Sequence, residues 1–333
     1  MKTLLRLLLK SQHPRNRTRQ AQTEKGMTLV ELLVGSIMAF LIITPMLGFV
    51  VDMLNTDRRE QVKSNTEQDV QAAASFIAQD LSQAVRIYNQ SEITMLLKNV
   101  PPPISVPSGS TPILVFWKRQ LVKNAIQIPN CASGEKCLDD TNVMSLVTYY
   151  VRQDNNATWC PEKSKCPARI ERLEIRDGVK DPKDSTKYLC DTQASLCPQP
   201  NDPKRLDQGF NPNIEIKNPT KLKGAGAITN NSEVLVNYVD ASPLKSSNNE
   251  CKQALGNPRD SEGNAIDESV LKIANNAYGG FYACVDSSRT LAQVFIRGNA
   301  LRRIQNEAIY SENKSAFFPK ASFQVQGLSG LGQ

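Results

Sequence analysis

Hydrophobic and polar positions divide the first 90 residues into three stretches. Residues 1–26 are a basic leader, and residues 27–51 are a 25-residue apolar run in which Glu31 is the only charged side chain. Residues 52–90 contain neither Pro nor Gly. Their apolar residues recur at intervals of three and four, which is the spacing of one helical face. The pattern therefore predicts an apolar helix over 27–51 that continues as an amphipathic helix over 52–90.

The apolar run is long enough to cross a lipid bilayer, because a spanning helix needs about 20 apolar residues. Lys/Arg-rich flanks stay in the cytoplasm, so we expect the N-terminus inside and everything after residue 51 outside. A carboxylate at the middle of a membrane helix costs about 2.5–3.5 kcal/mol, and less near its end. Glu31 is therefore expected to have a partner. Pro45 and Gly48 are expected to kink or locally melt the helix.

The pattern changes after Asn89. Pro-rich loops at 101–103 and 107–112 exclude a helix there. Short β-branched and aromatic runs then predict strands at 113–117, 145–152, 169–175, 233–239, 278–285 and 291–297. These features predict an α+β protein, with a long N-terminal helix packed on an antiparallel β-sheet. The globular domain is expected over 91–310 with disulfide-bearing loops, a loop-rich insertion at 177–232 and a loosely ordered tail at 311–333.

The net charge of +7 lies almost entirely in the leader. Residues 1–26 hold seven of the 40 basic and one of the 33 acidic side chains, so the remainder has 33 basic and 32 acidic side chains. The small basic clusters Lys118-Arg119 and Arg302-Arg303 do not change this balance. A nearly neutral remainder disfavours strong phosphate binding, and we expect no nucleic-acid partner.

The eight cysteines all follow the apolar run, which suggests an exported, disulfide-bonded domain. Spacing favours three local pairs, Cys131–Cys137, Cys160–Cys166 and Cys190–Cys197, and a longer pair, Cys251–Cys284. Sequence leaves other connectivities open. Zinc is the competing interpretation, but it calls for Cys-x-x-Cys knuckles or histidines, and neither is present. We expect no metal and no cofactor. Acidic pairs in loops, Asp139-Asp140 and Asp181 with Asp184, keep a calcium site as an alternative, although no regular ligand loop is visible.

The single histidine, His13, lies in the leader. Without it the chain has no Ser-His-Asp or Cys-His catalysis and no His-ligated zinc. No phosphate-binding glycine motif stands out either. We therefore expect no enzymatic activity and no catalytic residues.

Gly26, Met27, Thr28 and Glu31, set between a basic leader and an apolar run, resemble the class III signal of type IV pilins and type II secretion pseudopilins. The resemblance implies that a prepilin peptidase cuts between Gly26 and Met27 and methylates the new amino terminus. It also implies that Glu31, the fifth mature residue, serves assembly. The family most often has Phe where this chain has Met27, and its leaders are often shorter. The alternative is a plain membrane anchor with a chance Glu.

The stretch from Phe76 to Ala84 resembles the end of the long helix in larger minor pilins. These are the W type of type IV pili and the J type of type II secretion, which tend to carry aliphatic-x-x-Asp-aliphatic-x-x-Ala there. A tyrosine-bearing and an arginine-containing strand follow in that branch, and 146–152 and 169–176 look like that pair. The chain also looks similar to cyanobacterial hormogonium polysaccharide secretion pseudopilins. The resemblance is strong over 1–90 and weak beyond. Ordinary helix packing is the alternative for Asp80 and Ala84.

The resemblance implies a minor pilin or pseudopilin that primes or caps a filament for motility, adhesion, or polysaccharide or protein export. Glu31 would pair with the amine of a neighbouring subunit. Apolar side chains would supply the packing area, namely those of Leu29, Leu32, Leu33, Ile37, Leu41 and Ile42. Expected partners are other pilin or pseudopilin subunits, the prepilin peptidase, the inner-membrane assembly platform and membrane lipid. The expected location is the inner membrane, then the pilus or pseudopilus. The alternatives are a pilus-tip adhesin or DNA receptor, and a tethered exported enzyme.

Overall fold

The computed structural model describes residues 26–128, 137–160, 166–213, 215–244, 249–275, 277–306 and 308–328. The chain divides into two compact units, one ending at Thr56 and the other beginning at Asp57.

The first unit consists, in its described part, of the start of one helix. Helix α1 spans Leu29–Ser82 and runs through Pro45 and Gly48 without interruption, so the predicted local melting is wrong. Pro45 removes one backbone donor, and the nearby Thr44 hydroxyl donates to the carbonyl of Phe40 at 2.8 Å. An 18-residue window of α1 has a mean hydropathy of 2.3 and none of its residues buried. By length and composition, α1 is therefore able to cross a membrane.

In the second unit, α1 presents one face to the protein core. Its buried residues recur at three- and four-residue intervals, which keeps them on one side of the helix. They are Thr66, Val70, Ala73, Ala74, Ile77, Asp80 and Leu81.

The helix ends at Ser82 and not at residue 90, so the predicted boundary is wrong. Strand β1 (Ala84–Ile87) follows, and helix α2 (Gln90–Lys98) begins after Asn89. The Asn89 side chain accepts a hydrogen bond from the Glu92 backbone N–H at 3.0 Å, and the Glu92 carboxylate accepts one from the Asn89 backbone N–H at 2.9 Å. This capping box starts a new helix, and the β-branched residues before it pair with a strand instead.

Two antiparallel sheets form the body of the second unit, where the sequence predicts one. The first sheet has the strand order β1-β2-β3-β4-β7. Its further members are β2 (Ser110–Gln127), β3 (Leu138–Arg152), β4 (Ala168–Arg176) and β7 (Glu233–Val239). The second sheet has the order β11-β10-β9-β8. Its members are β8 (Lys272–Asn275), β9 (Tyr278–Asp286), β10 (Leu291–Arg297) and β11 (Lys320–Gln326).

One hydrophobic core joins α1 to both sheets. It contains Ile77 and Leu81 from α1, Phe116 from the first sheet, and Phe281 and Val294 from the second. These side chains are fully buried or nearly so. The protein is therefore α+β, as predicted, with the second part of α1 packed on antiparallel sheets.

The close approach of α1 to the end of β10 depends on Gly298. A Cβ at this position would lie 2.8 Å from the side chains of both Thr66 and Val70. Carbon atoms in contact prefer about 3.5–4.0 Å, so any side chain here would push the helix from the sheet.

The insertion at 177–232 is mainly loops, as expected, but it contains regular structure. A small hairpin pairs β5 (Lys180–Asp181) with β6 (Asp184–Tyr188), and helix α3 (Leu189–Thr192) follows it. Two further short helices, α4 (Glu250–Ala254) and α5 (Glu268–Leu271), lie between β7 and β8. Phe210 and Leu222 of the insertion reach the main core.

The predicted loosely ordered tail at 311–333 is wrong over most of its described length. A 3-10 helix spans Glu312–Phe317, and β11 pairs in register with β10 from Leu291↔Gln326 to Arg297↔Lys320. Alternation explains the strand, because Ala321, Phe323 and Val325 share one face and pack against the core. Residues 329–333 lie outside the described part.

Candidate functional site

The residues of the class III-like signal lie at the start of α1 and are all exposed. Thr28 precedes the helix, and its hydroxyl accepts a hydrogen bond from the backbone N–H of Glu31 at 3.3 Å. Thr28 therefore satisfies one of the free donors at the helix N-terminus. Gly26 and Met27 lie just before this cap, where the backbone has no helical hydrogen bonds and is open to another protein.

The apolar side chains around Glu31 are largely exposed to solvent in the described structure. Leu29 is 90% exposed, and Leu32 and Leu33 are each 59% exposed. The same holds for every large apolar residue of α1 up to Leu54. A helix that is apolar on all sides belongs in a lipid or protein environment, so this surface requires a cover that the described part of the chain does not provide.

A second feature is a buried cluster of charges at the end of α1, which we call the Asp80 cluster. It consists of Asp80, Lys118, Tyr149, Arg172 and Glu174. Asp80 accepts hydrogen bonds from Lys118 Nζ, Tyr149 Oη and Arg172 Nε, each at 2.8 Å. Arg172 also bonds Glu174 at 2.7 Å, and Lys118 lies 3.5 Å from the same carboxylate. The cluster ties α1 to three neighbouring strands.

Strand register explains why two of these side chains meet. Tyr149 of β3 lies directly opposite Arg172 of β4, and cross-strand neighbours of this kind lie within contact distance. Lys118 of β2 lies opposite Ser145, four residues before Tyr149 on β3, and contacts the cluster through its Nζ. Phe76, one helical turn before Asp80, places its ring 5.8 Å from the Arg172 guanidinium carbon. Arg172 is thus held between two α1 side chains.

The cluster strongly perturbs the acid–base behaviour of its members. Burial raises the pKa of Asp80, but the hydrogen bond and charge of Arg172 and those of Lys118 outweigh it, so that the pKa lies below 3.8. Burial, followed by the charge of Asp80, raises the pKa of Tyr149. The carboxylate is therefore ionised and the phenol protonated at neutral pH. This fixes the direction of the hydrogen bond between them.

The structure thus brings Asp80 together with one residue from each of the two strands that the sequence analysis had paired with it. The packing alternative for Asp80 does not describe this geometry, since the carboxylate is buried and makes three charge-assisted or hydroxyl hydrogen bonds. Sequence reasoning missed Lys118 and Glu174. It treated Lys118 as part of a basic cluster, although its position at the end of the apolar run 113–117 was a signal that it could be buried.

A polar cleft of about 710 Å³ opens beside this cluster. Arg172, Glu174 and Arg176 of β4 line it together with groups from the insertion, including Arg205 and Asp207. These charges largely pair within the chain. Arg176 Nε lies 3.4 Å from Asp207, and Arg205 donates to the carbonyls of Gln199 and Cys197. A cleft with mixed and mutually paired charges does not select one sign of ligand.

Three disulfides are present in the described structure. They are Cys160–Cys166, Cys190–Cys197 and Cys251–Cys284, and these are three of the four pairs that spacing favours. The fourth, Cys131–Cys137, includes Cys131, which lies outside the described residues.

The acidic residues of the calcium alternative accept hydrogen bonds from backbone N–H groups. Asp140 of β3 accepts from Asn124 of the neighbouring strand β2 at 2.8 Å. Asp181 accepts from the Lys183 backbone at 2.8 Å and Asp184 from the Thr186 backbone at 3.1 Å, each within its own turn. Within the described ranges, no group of three or more His, Cys, Asp or Glu side chains is placed to hold a metal ion.

Comparison with known proteins gives no relative for this chain: no family model, no curated protein and no solved structure matches it.

Proposed function

We propose that the chain is a minor pilin or pseudopilin subunit, anchored in the inner membrane before it joins a filament. In this proposal a prepilin peptidase removes residues 1–26 and methylates Met27. The mature subunit then primes or caps a type IV pilus or a type II secretion-like pseudopilus. The observation that carries the proposal is the exposed apolar surface formed by Met27 and by α1 from Leu29 to Val51, interrupted by one carboxylate at Glu31.

In this proposal, the exposed apolar surface of α1 is covered in two successive environments. Lipid would cover it while the subunit waits in the membrane, and neighbouring helices would cover it in the filament. The large second unit favours a tip or priming position, because a unit of this size would crowd a shaft. The Asp80 cluster contributes by holding the end of α1 to the first sheet.

Glu31 would act by pairing with the amine of Met27 on a neighbouring subunit. A new amine at a helix N-terminus meets the positive end of the helix dipole, so a carboxylate nearby stabilises it. In an apolar core an unpaired carboxylate is strongly penalised, whereas a paired one is tolerated. The pair would therefore select one register between subunits and add little net affinity.

The structure also raises a local alternative for Glu31. Thr28 and Glu31 have the spacing of a capping box, in which residue 31 supports the helix start. Glutamine performs this capping task as well as glutamate does. A change to glutamine therefore removes the charge and leaves the cap.

Three variants of the full chain separate these roles in cells that make the filament. Under the proposal, Glu31→Gln and Glu31→Ala both enter filaments poorly, while Glu60→Gln, an exposed acid on the same helix, enters normally. Capture of subunits by cross-linking and quantitative immunoblotting of sheared filaments measures entry. Normal entry of Glu31→Gln would refute the charge-pairing mechanism.

An adhesive tip subunit is a second candidate, favoured by the polar cleft of about 710 Å³. Such a cleft suits a hydroxyl-rich or zwitterionic ligand better than DNA, since acidic and basic groups line it together. Loss of cell adhesion in an Arg176→Ala variant, with filament number unchanged, would support this role. Unchanged adhesion would exclude the cleft from it.

A further inference from the structure

A smaller cleft of about 250 Å³ lies in the second unit, away from the Asp80 cluster; we call it the arginine cleft. Three of the residues lining it are Arg58, Arg302 and Arg303, and one is Trp159. Among the described residues that line it, none is acidic. Arg58 makes no hydrogen bond or ion pair within the described ranges. Arg303 is balanced by Asp69, so the exposed charge of Arg58 gives the cleft its preference for an anion.

Contacts with α1 and with Tyr238 hold Arg303 in the wall of the arginine cleft. Arg303 donates to the Thr66 hydroxyl at 2.9 Å and pairs with Asp69, both on α1. Its guanidinium carbon lies 4.6 Å from the ring centre of Tyr238. Tyr238 has a left-handed backbone with φ 58°, a conformation that costs about 1 kcal/mol or more for such a residue. The Asn237 side chain accepts from its N–H at 2.8 Å and stabilises it.

Trp159 is positioned by a separate network of charges. Its ring lies 6.0 Å from the guanidinium carbon of Arg169. Arg169 is 1% exposed and is fixed by Asp154 at 2.8 Å and Glu171 at 2.6 Å. The disulfide Cys160–Cys166 constrains the chain directly after Trp159. The half-buried indole is therefore held as one wall of the cleft.

The position of Arg58 along the chain indicates where the anion comes from. Arg58 follows Val51, the last residue of the apolar run, by seven residues. Seven residues reach about 10 Å as a helix and at most about 25 Å when fully extended. If residues 27–51 span a bilayer, as the proposed function requires, the cleft stays within reach of the lipid headgroups. Tryptophan is itself enriched at this interface.

We propose that the arginine cleft binds the phosphate of an anionic phospholipid headgroup next to the membrane span. Guanidinium groups recognise phosphate through paired N–H donors, and Trp159 packs against the glycerol or upper acyl carbons. The lipid thereby seats the second unit on the membrane surface before assembly. The inference rests on the proposed membrane anchoring, which the experiment tests in a separate arm.

The experiment uses the full chain in nanodiscs and follows tryptophan fluorescence. The probes are phosphatidylglycerol or phosphatidylcholine brominated close to the glycerol, which quench nearby indoles. Trp117 is 2% exposed and supplies a constant background, and a Trp159→Phe variant identifies the responding ring. We expect stronger quenching by the phosphatidylglycerol probe than by the phosphatidylcholine probe.

The matched variants are Arg58→Gln and Arg59→Gln, two neighbouring exposed arginines of α1 of which only Arg58 lines the cleft. General attraction to an anionic surface contributes about fivefold for each nearby basic residue and acts on both arginines alike, whereas a hydrogen bond to a charged phosphate contributes at least about tenfold and is available to Arg58 alone. We therefore expect the phosphatidylglycerol concentration for half-maximal quenching to rise at least about tenfold more in Arg58→Gln than in Arg59→Gln. Equal effects of the two variants, or equal quenching by both lipids, would overturn the proposal.

Two further arms separate the possible failures. Inorganic phosphate, added as a competitor to nanodiscs that contain the brominated phosphatidylglycerol, tests the free anion, and loss of Trp159 quenching at a phosphate concentration equal to that of the lipid would overturn the lipid assignment. Flotation of the chain with phosphatidylcholine vesicles tests anchoring alone. Flotation without headgroup selectivity would overturn only the arginine cleft, whereas no flotation would overturn both proposals.

Discussion

Replacement of Asp80 by asparagine should destabilise the second unit more than any other single charge removal on α1. The substitution keeps the shape of the side chain but removes the carboxylate that Lys118, Tyr149 and Arg172 all contact at 2.8 Å. Asp80 is 7% exposed and Lys118 is 6% exposed. Water therefore has little access to the Lys118 ammonium group and cannot solvate it in place of the lost carboxylate.

The expected loss follows from the charges that remain. Breaking a buried ion pair by removing one partner costs about 3–5 kcal/mol. Glu174 still contacts both Lys118 and Arg172, so we place the loss at about 3 kcal/mol. For a domain of this size, each kcal/mol lowers Tm by about 2–4 °C. The Asp80→Asn variant should therefore melt about 6–12 °C below wild type.

Asp69→Asn is the matched control, because it makes the same change on the same helix. The Asp69 side chain is 49% exposed where it pairs with Arg303, and such pairs contribute about 0–1 kcal/mol. Thermal and urea unfolding of the full chain in detergent, followed by tryptophan fluorescence, measures both variants. If the two variants differ by less than about 0.5 kcal/mol, the argument for the Asp80 cluster is refuted.

Three further predictions concern the second unit. Because the folded pKa of Asp80 lies below its unfolded value, its stabilising contribution should be complete above about pH 4 and be lost as the pH falls through the folded pKa. Wild type and Asp80→Asn should converge in acid urea titrations, and a constant difference would contradict this. Gly298→Ala should lower the free energy of unfolding by about 1–3 kcal/mol, because the added methyl group overpacks against Thr66 and Val70. A urea unfolding midpoint equal to that of wild type would contradict this prediction. Replacing both cysteines of Cys251–Cys284, separated by 33 residues, should cost more than replacing those of Cys190–Cys197, separated by 7. Loop closure gives about 3.7 against about 2.4 kcal/mol, and the reverse order in urea titrations would contradict the entropic reasoning.

The elements that sequence predicted well are those whose pattern is carried by many residues. All six predicted strand segments lie in observed strands, and the buried face of α1 follows the three- and four-residue spacing. The end of α1 was predicted poorly, since no Pro or Gly marks it. The capping pair Asn89 and Glu92 was a usable signal for the next helix, and it was overlooked.

The last strand shows how composition can hide a pattern. Gly, Ser and Gln near the C-terminus suggested a loose tail, and termini are often poorly ordered unless they are tied down. The alternation of Ala321, Phe323 and Val325 with polar residues predicts a half-buried strand, and pairing with β10 ties this segment down. The local alternation was more informative than the composition of the segment.

The two candidate sites differ in how much of each can be predicted from the sequence. The residues around Glu31 are contiguous, so their pattern is visible without a structure. The Asp80 cluster joins residues up to 94 positions apart, from Asp80 to Glu174, through the register of three strands. Neither Lys118 nor Glu174 belongs to a local motif, so only the fold could place them beside Asp80.

The central claim is that this chain is processed as a filament subunit, and intact mass tests it most directly. The protein would be isolated from membranes of cells that naturally make it, with and without their prepilin peptidase. We predict a chain that lacks residues 1–26 and carries one added methyl group only when the peptidase is present. An uncut chain in both preparations would contradict the claim and leave a membrane-anchored domain.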